Sequence, residues 1–187
     1  MKLTLKIPAD FTILDEPKAG SAMAEAVRDL VRRHFTNRSL HAAPSRFGIP
    51  PSGFWHKAAG TVKVASHRGL RAVISAGAES SDPKEPGQGI ALHYYGGTVY
   101  PTGGKKALAM PVNPAVWDQW PAEFDPSREK LSLVWPKGSK TGTLRDKDTG
   151  EPYYILMAHA TIPADRSVLP EEDALHSAAQ DAIGAIL

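Results

Sequence analysis

Hydrophobic and polar residues alternate over the first eight residues of the chain, Met-Lys-Leu-Thr-Leu-Lys-Ile-Pro. A period of two places the apolar side chains on one face, which predicts a short strand with one buried face that ends at Pro8. Residues 15–20 are then predicted to form a turn. After Ser21, a predicted N-cap, apolar residues recur every three or four positions, and this spacing predicts an amphipathic helix over about 21–35.

The middle of the chain consists of short apolar segments between Gly- and Pro-rich stretches. Residues 54–59 predict a helical turn, and 62–66 and 70–76 predict the two strands of an antiparallel hairpin. Strands are also predicted over 98–100 and 107–110 on either side of a Gly-Gly turn, and over 131–135 and 153–160, with a short helix over 114–120. Polar residues predict flexible loops near 36–53, 79–89 and 137–151, the last either a hairpin tip or an insertion.

The last predicted element is a helix that begins at Pro170, because proline suits the first helical position. Three acidic residues follow where the helix dipole is positive. The apolar stripe of this helix comprises Leu175, Ala178, Ala179, Ala182, Ile183 and Ile186. A helix near each end with strands between them predicts an α+β fold, a mostly antiparallel sheet with an N-terminal and a C-terminal helix packed on it, in a single domain over 1–187.

The composition matches an ordinary globular protein, since 42% of the 187 residues are hydrophobic and 22% are charged. The chain contains no cysteine, which excludes a disulfide framework, a thiol nucleophile and a thiolate metal site. No apolar run reaches the roughly 18 residues of a membrane span, and the first residues do not have the pattern of a signal peptide. We therefore expect a protein made in a cytoplasm, with no membrane partner.

Charge is distributed unevenly, although the net charge is only +2. Residues 30–78 contain no Asp or Glu but eight basic residues: Arg32, Arg33, Arg38, Arg46, Lys57, Lys63, Arg68 and Arg71. Residues 164–187 carry five acids against one arginine, a net charge of −4. This pattern fits a solvated basic surface beside an unrelated acidic helix, a face that binds nucleic acid or an acidic partner, or complementary patches that meet between copies in a ring.

The sequence offers little catalytic chemistry. None of the seven histidines lies in an HExxH motif, the glycines between 96 and 104 do not have phosphate-loop spacing, and there is no GxSxG motif. A metal site at His34 and His41 would need these residues to converge across a loop. His93, which lies among aromatic residues, is the base that an enzyme would need, together with a nearby acid. We predict no catalytic residue, no metal and no cofactor.

The most distinctive segment is Gly-Ile-Ala-Leu-His-Tyr-Tyr-Gly-Gly-Thr-Val-Tyr-Pro at 89–101, followed by two lysines and a small apolar strand that ends at Pro111. This segment resembles the central motif of tailed-phage virion morphogenesis proteins, the tail-completion group of phages and prophages. Phe-Trp-His-Lys-Ala-Ala at 54–59 and Ala-Thr-Ile-Pro-Ala-Asp-Arg-Ser-Val-Leu-Pro at 160–170 are similar to segments of prophage relatives. The resemblance covers most of the chain from about Gly53 onward, except 137–151.

The resemblance implies a structural protein of the virion neck or tail that acts in tail completion or head–tail joining. It also implies assembly in the bacterial host cytoplasm, into a ring expected to be hexameric, and contact with neighbouring neck or tail proteins and with channel DNA. A tail terminator or connector subunit is the alternative within this class. A nucleic-acid-binding protein that uses the basic residues of 30–78 is the alternative of another class.

Two groups of residues are candidates for this role. The first would form an interface, because tyrosines offer large rigid contact areas and a glycine pair permits a sharp turn. Its members are Tyr94, Tyr95, Gly96, Gly97 and Tyr100. These tyrosines could instead fill the core of the monomer. The second group would face channel DNA or an acidic partner, or would simply be solvated, and comprises Lys63, Arg68, Arg71, Lys105 and Lys106.

Overall fold

The computed structural model describes residues 2–6, 16–41, 53–77, 86–117, 119–127 and 129–186. In chain order these residues form β1 (Lys2–Lys6), α1 (Glu16–Leu40), α2 (Phe54–Gly60), β2 (Lys63–Arg68), β3 (Arg71–Ser75), α3 (Pro86–Tyr95), β4 (Gly97–Val99), β5 (Leu108–Pro111), α4 (Pro121–Phe124), β6 (Leu131–Val134), β7 (Thr141–Asp146), β8 (Pro152–Met157), β9 (Ala160–Ile162) and α5 (Glu172–Gly184). Short 3₁₀ turns lie at Pro114–Val116 and Arg166–Val168.

The predicted α+β fold class is confirmed, because the paired strands are all antiparallel and a helix lies near each end of the chain. The chain divides into two compact units. The first contains Met1–His41, Gly53–Gly96 and Pro163–Leu187, and the second contains Gly97–Ile162. The single domain expected from the sequence stays a prediction. None of the helices in the described ranges is long and apolar enough to cross a membrane.

The first unit is built around one apolar stripe on α1. Five residues spaced four positions apart are buried there: Ala19, Met23, Val27, Val31 and Phe35. This spacing keeps the side chains on one face of a helix with 3.6 residues per turn. The three-stranded sheet, in the order β1-β3-β2, supplies the buried Ala72 and Ile74, and α5 supplies Leu175, Ala179 and Ile183 to the same core. The predicted hairpin and apolar stripe of the C-terminal helix therefore both contribute to this core.

Helix α1 is longer than the sequence predicted. The turn expected over 15–20 and the N-cap expected at Ser21 are wrong, because the helix begins at Glu16 and already buries Ala19 and Gly20. Pro17 is compatible with this start, since the first helical turn has no intrahelical partner for its N–H groups. The loop expected near 36–53 is wrong over 36–40, which continue α1, while 42–52, including Arg46, lie outside the described residues.

The loop expected near 79–89 is wrong at its C-terminal end, because α3 begins at Pro86. Residues 78–85 lie outside the described residues. The side chain of Ile90 on α3 is fully buried in the core of the first unit. Gly89 on the same helix lies against the ring of Phe54, at a place where a Cβ atom would meet that ring. The segment 86–95 is therefore a packed helix.

The second unit contains a four-stranded sheet in the order β5-β8-β7-β6 and a separate β4–β9 pair. Its core includes Tyr154 and Leu156 of β8, together with Val116 of the 3₁₀ turn, which replaces the longer helix expected over 114–120. The hairpin expected around Gly103-Gly104 is wrong, because β4 pairs with β9 and β5 pairs with β8.

The loop expected near 137–151 contains a strand. β7 pairs with both β6 and β8, so it is an interior strand of the four-stranded sheet. Gly138 and Gly150 take positive φ angles of 78° and 72° at the turns on either side. A positive φ angle causes little strain only in glycine, so the chain can reverse direction within a few residues at these two positions. The segment between the two turns is therefore long enough to form a strand.

A substitution at Gly20 tests how closely α1 packs against the β2–β3 turn. A Cβ atom at Gly20 would collide with the carbonyl oxygen of Gly69, which is backbone and cannot rotate away. We therefore expect Gly20→Ala to destabilise the protein by about 2 kcal/mol in urea unfolding. Gly60→Ala is the matched control, because nothing lies within 4 Å of its added carbon. That variant is expected to be neutral or to gain about 0.5 kcal/mol. Equal effects of the two variants would contradict this packing.

Candidate interaction surfaces

Tyr94 and Tyr95 lie together at the C-terminal end of α3 but occupy different environments. Tyr94 packs against the core of the first unit, whereas Tyr95 is 62% exposed. Their rings meet edge to face at 4.9 Å between centroids. Consecutive residues of a helix point about 100° apart, which separates a packed ring from an exposed one. Of the two interpretations left open by the sequence, packing in the core therefore fits Tyr94, whereas the ring of Tyr95 is exposed at the surface.

Arg166 lies against both of these rings. Its guanidinium carbon is 4.4 Å from the centroid of Tyr94 and 5.3 Å from that of Tyr95. A guanidinium over an aromatic face is attracted by the ring quadrupole, an interaction of about 0.5–1 kcal/mol at exposed sites. We define the docking patch as Tyr94, Tyr95 and Arg166. It combines an exposed aromatic ring, a polar hydroxyl and a positive charge.

A polar cluster holds the 3₁₀ turn that carries Arg166. Arg38 of α1 donates to Asp165 Oδ2 at 2.6 Å and to the backbone oxygen of Ser167 at 2.9 Å. Asp165 Oδ1 accepts from the backbone N–H of Ser167 at 2.9 Å and from its hydroxyl at 2.6 Å. His34 Nε2 lies 2.9 Å from the same Ser167 backbone oxygen. We call Arg38, Asp165 and Ser167 the clasp, because they join α1 to the turn before α5.

The contacts of the clasp stabilise the ionised form of the Asp165 carboxylate. The hydroxyl of Ser167, followed by the guanidinium of Arg38, holds the pKa of Asp165 below its ordinary value of 3.8. The backbone N–H of Asp165 donates to the carbonyl of His93 at 2.9 Å, so α3 is joined to the same cluster. Arg38, Asp165 and Arg166 are not among the site residues predicted from the sequence. The sequence pattern that could have indicated this cluster is Asp-x-Ser before a short turn, which is a common N-cap pattern.

His93 is the residue that an enzyme would have required. Its ring lies 5.3 Å from both Phe54 and Trp55, and burial, followed by the charge of Arg38, lowers its pKa below the ordinary 6.5. Asp165, the nearby acid, already accepts hydrogen bonds on both of its oxygens. This geometry suits packing and chain positioning. The described residues include no group of three or more His, Asp or Glu placed to hold a metal ion.

The remaining candidate interface residues are divided between the two units. Gly96 has a φ of 73° and ends α3, which requires a residue that tolerates positive φ. Gly97 begins β4 and pairs with Ile162 of β9. Tyr100 follows β4, is 63% exposed, and has its ring 5.8 Å from that of His159. Tyr95 and Tyr100 are thus the exposed tyrosines of the predicted set, one in each unit.

Three of the five candidate basic residues share one side of the β1-β3-β2 sheet. Lys63, Arg68 and Arg71 are exposed, and Arg68 is the register partner of Arg71 beside the turn at Gly69. Ala72 and Ile74, which alternate with Arg71 along β3, are buried toward α1. Because side chains alternate along a strand, the three basic residues belong to the sheet face away from α1. We call them the basic sheet face.

The register of β1 sets Lys2 opposite Ser75 and Lys6 opposite Arg71 along β3. This cross-strand register was not predicted from the sequence. Lys105 and Lys106 lie instead in the second unit, where both are exposed and the Lys105 ammonium is 5.2 Å from the centroid of Trp120.

The ion pair of the clasp predicts a pH dependence. Asp165 has a folded-state pKa below 3.8, so its contribution to stability is complete above that pH and is lost as the pH falls through the folded value. Asp165→Asn keeps the N-cap oxygen but removes the charge that pairs with Arg38. We expect a lower urea midpoint than wild type at pH 7 and a difference that shrinks below about pH 4.

Asp181→Asn on the exposed face of α5 is the matched control for this change in charge, and we expect its urea midpoint to stay close to that of wild type. A difference between Asp165→Asn and wild type that does not depend on pH would contradict the ionic contribution of the clasp.

Comparison of the chain with protein-family models, with curated proteins and with solved structures finds no significant match. The resemblance to the tail-completion proteins therefore stays a prediction that rests on the motif at 89–111 and the two shorter segments. Any functional proposal has to be argued from the residues of this chain, above all from the docking patch and the basic sheet face.

Proposed function

We propose that this chain is a non-catalytic structural protein of a phage virion, and that it acts in tail completion or head–tail joining at the neck or tail. The observation that carries the proposal is the exposure of Tyr95 beside the packed Tyr94, within the segment that resembles the phage motif. A tail terminator or a connector subunit is the alternative within the same class.

The docking patch has the properties that protein–protein contacts favour. Tyrosine and arginine are enriched among residues that dominate binding energy, because they offer large contact areas with polar ends. Tyr95 contributes such an area at low cost in entropy, since its ring already contacts Tyr94 and Arg166. A ring subunit needs a rigid surface of this kind. The proposed partners are other copies of the chain in a ring, expected to be hexameric, and neighbouring virion proteins.

The basic sheet face favours a second candidate function, binding of nucleic acid. It collects Lys63, Arg68 and Arg71, all of them exposed. Arg38, by contrast, is engaged with Asp165 and contributes no free charge to the basic stretch 30–78. Positive residues on one sheet face suit non-specific contact with the phosphates of channel DNA or of another polyanion. This candidate requires neither a ring nor a virion.

Tyr95 gives the direct test of the proposed function. In the phage or prophage that carries the gene, deletion should yield separate heads and tails in electron micrographs, and purified wild-type virions should contain the chain. Tyr95→Ser should reduce joined infectious particles by about tenfold or more, because it removes an exposed interface anchor. The free protein should lose only about 0.5–1 kcal/mol of stability, the contribution of the contact with Arg166.

Leu40→Ser is the control for removal of an exposed apolar side chain in the same unit, and it should restore joined particles to the wild-type level. Virions that lack the chain but have joined, infectious tails would refute the proposal. Equal loss of particles with Leu40→Ser and Tyr95→Ser would show that the docking patch has no special role.

The basic sheet face is tested by the salt dependence of DNA binding. Binding to duplex DNA should weaken steeply as salt increases, and the double variant Arg68→Ala with Arg71→Ala should reduce the slope of log K against log salt by about 2. Lys140→Ala with Arg145→Ala removes the same charge from exposed positions outside 30–78 and should change the slope little. No binding at low salt, or equal effects of the two double variants, would remove this candidate.

A further inference from the structure

The two faces of the four-stranded sheet β5-β8-β7-β6 differ in burial. Tyr154 and Leu156 of β8 and Gly142 of β7 are buried on one face. The Tyr154 hydroxyl donates to the carbonyl of Gln119 at 3.2 Å, so the segment that leads into α4 covers this face. Side chains that alternate with these residues lie on the other face. In the described part of the sheet, none of the residues on that second face is buried.

The strand register arranges the second face in rows that run across the four strands. Its two central rows contain mostly apolar side chains, and we call these six residues the open sheet face. They are Met110, Ile155, Thr143 and Val134 in one row, and Leu108 and Met157 in the next. At the two edges of the sheet, Met110 is 38% exposed and Val134 is 40% exposed. The open sheet face is thus a continuous, mainly apolar surface.

The sequences of β5 and β8 do not suit a face that meets water. They read Leu-Ala-Met-Pro and Pro-Tyr-Tyr-Ile-Leu-Met, with no charged residue. Antiparallel strands with one solvated face usually alternate apolar and polar residues, whereas continuous apolar runs are typical of strands covered on both faces. Arg145 of β7 is the charged strand residue on this side, and its Nε donates to Thr143 Oγ1 at 3.0 Å. This pattern indicates that a partner covers the open sheet face.

Opposite charges flank the two ends of the same sheet. At one end, 105–107 precede β5 and 135–140 connect β6 to β7; these segments contain four lysines and no acid, a net charge of +4. At the other end, 129–130 precede β6 and 146–151 lead from β7 into β8. Those segments contain four acids and two lysines, a net charge of −2. The open sheet face therefore lies between a basic end and an acidic end.

This distribution of charge makes the face complementary to itself in one orientation. A two-fold axis that crosses the strands at the row of Met110 lays β5 and β8 of one copy over β5 and β8 of the other, so apolar side chains meet. Each basic end then lies over an acidic end, and the two copies of Arg145 lie on opposite sides of the axis. An axis parallel to the strands would instead bring ends of like charge together. Charge complementarity thus favours a second copy, in the first of these orientations.

We propose that two copies of this chain pack their open sheet faces together about this axis, as two sheets about 10 Å apart. The contact is isologous, because both copies use the same surface. It is a different surface from the docking patch and does not depend on the proposed function. Four strands span only about 19 Å, so the interface is small and association in about the micromolar to millimolar range is expected.

Sedimentation equilibrium of the purified chain tests this contact. The mass should rise from the 20.1 kDa monomer toward twice that value as concentration increases. Met110→Lys places two like charges beside the axis and should weaken association at least about tenfold, with little change in the unfolding temperature, because the side chain is partly exposed. Leu133→Lys is the matched control. Leu133 is 62% exposed in the same sheet but shares the face of Tyr154, so this variant should associate like wild type.

A pair of charge variants tests the orientation of the two copies. Lys137→Glu with Lys140→Glu makes the β6–β7 turn acidic, and Glu129→Lys with Asp148→Lys makes the opposite end of the sheet basic; all four residues are exposed. Each double variant alone should associate more weakly than wild type, because like charges then meet. An equimolar mixture should associate at least about tenfold more tightly than either variant alone, because the exchanged charges again meet their opposites. Damage to the fold could not produce this recovery.

Four outcomes would overturn this contact. One is a monomer at every concentration, which would mean that the open sheet face is solvated or is covered by the chain itself. Another is equal loss of association in Met110→Lys and Leu133→Lys. The third is a mixture of the charge variants that associates no more tightly than either alone. The fourth is self-association that Tyr95→Ser removes, which would place the contact at the docking patch. Failure of Tyr95→Ser to affect virions would not change the result expected for the open sheet face.

Discussion

Burial of the α1 stripe is the constraint on which the first unit depends. A single amphipathic helix gains little stability until its apolar face is covered, and each large side chain that is fully buried contributes roughly 1.5–3 kcal/mol. For α1 the cover comes from the β2–β3 hairpin, from α2 and from α5, although the hairpin and α5 are far apart in sequence. The positions of α3 and of the 3₁₀ turn follow from this packing.

Polar contacts at the margin of this core determine what the surface presents. The clasp joins Arg38 on α1 to the turn that carries Arg166, and the backbone of Asp165 is bonded to α3 at His93. The 3₁₀ turn that carries Arg166 and the helix that carries Tyr95 are thus joined to each other by hydrogen bonds, and the turn is also joined to α1. An exposed aromatic ring held in this way loses little conformational freedom when it binds a partner, which is the physical reason to treat the docking patch as an interface.

Elements that depend on local periodicity could be predicted from the sequence. β1, the β2–β3 hairpin and α2 follow from the spacing of their residues, and so does α5, although it begins at Glu172 and not at Pro170 as the sequence predicted. The wrong secondary-structure predictions lie where contacts with residues distant in sequence determine the local structure. Residues 16–20 resemble a turn but are helical because Ala19 and Gly20 are buried, and β7, Thr-Gly-Thr-Leu-Arg-Asp, has too little hydrophobicity to be recognised without its neighbours β6 and β8.

The candidate residues show the same limit. Sequence selected Tyr94 and Tyr95 together, because nothing local distinguishes a packed ring from an exposed one on the same helix. It missed Arg166 and Asp165, whose roles depend on contacts with residues that are distant in sequence, 71 or more positions away. It selected Lys63, Arg68 and Arg71, which are exposed, but the register that pairs β1 with β3 beside them is a property of the folded sheet.

The β4–β9 pair has a consequence for the order in which the chain folds. It brings Gly97 and Ile162, the first and last described residues of the second unit, side by side, so that the described part of this unit is one segment inserted in sequence between parts of the first. On the ribosome the insertion can fold as soon as it emerges, because all its strands are then present. The surrounding unit has to wait for Leu175, Ala179 and Ile183, and until then the apolar face of α1 is open to chaperones.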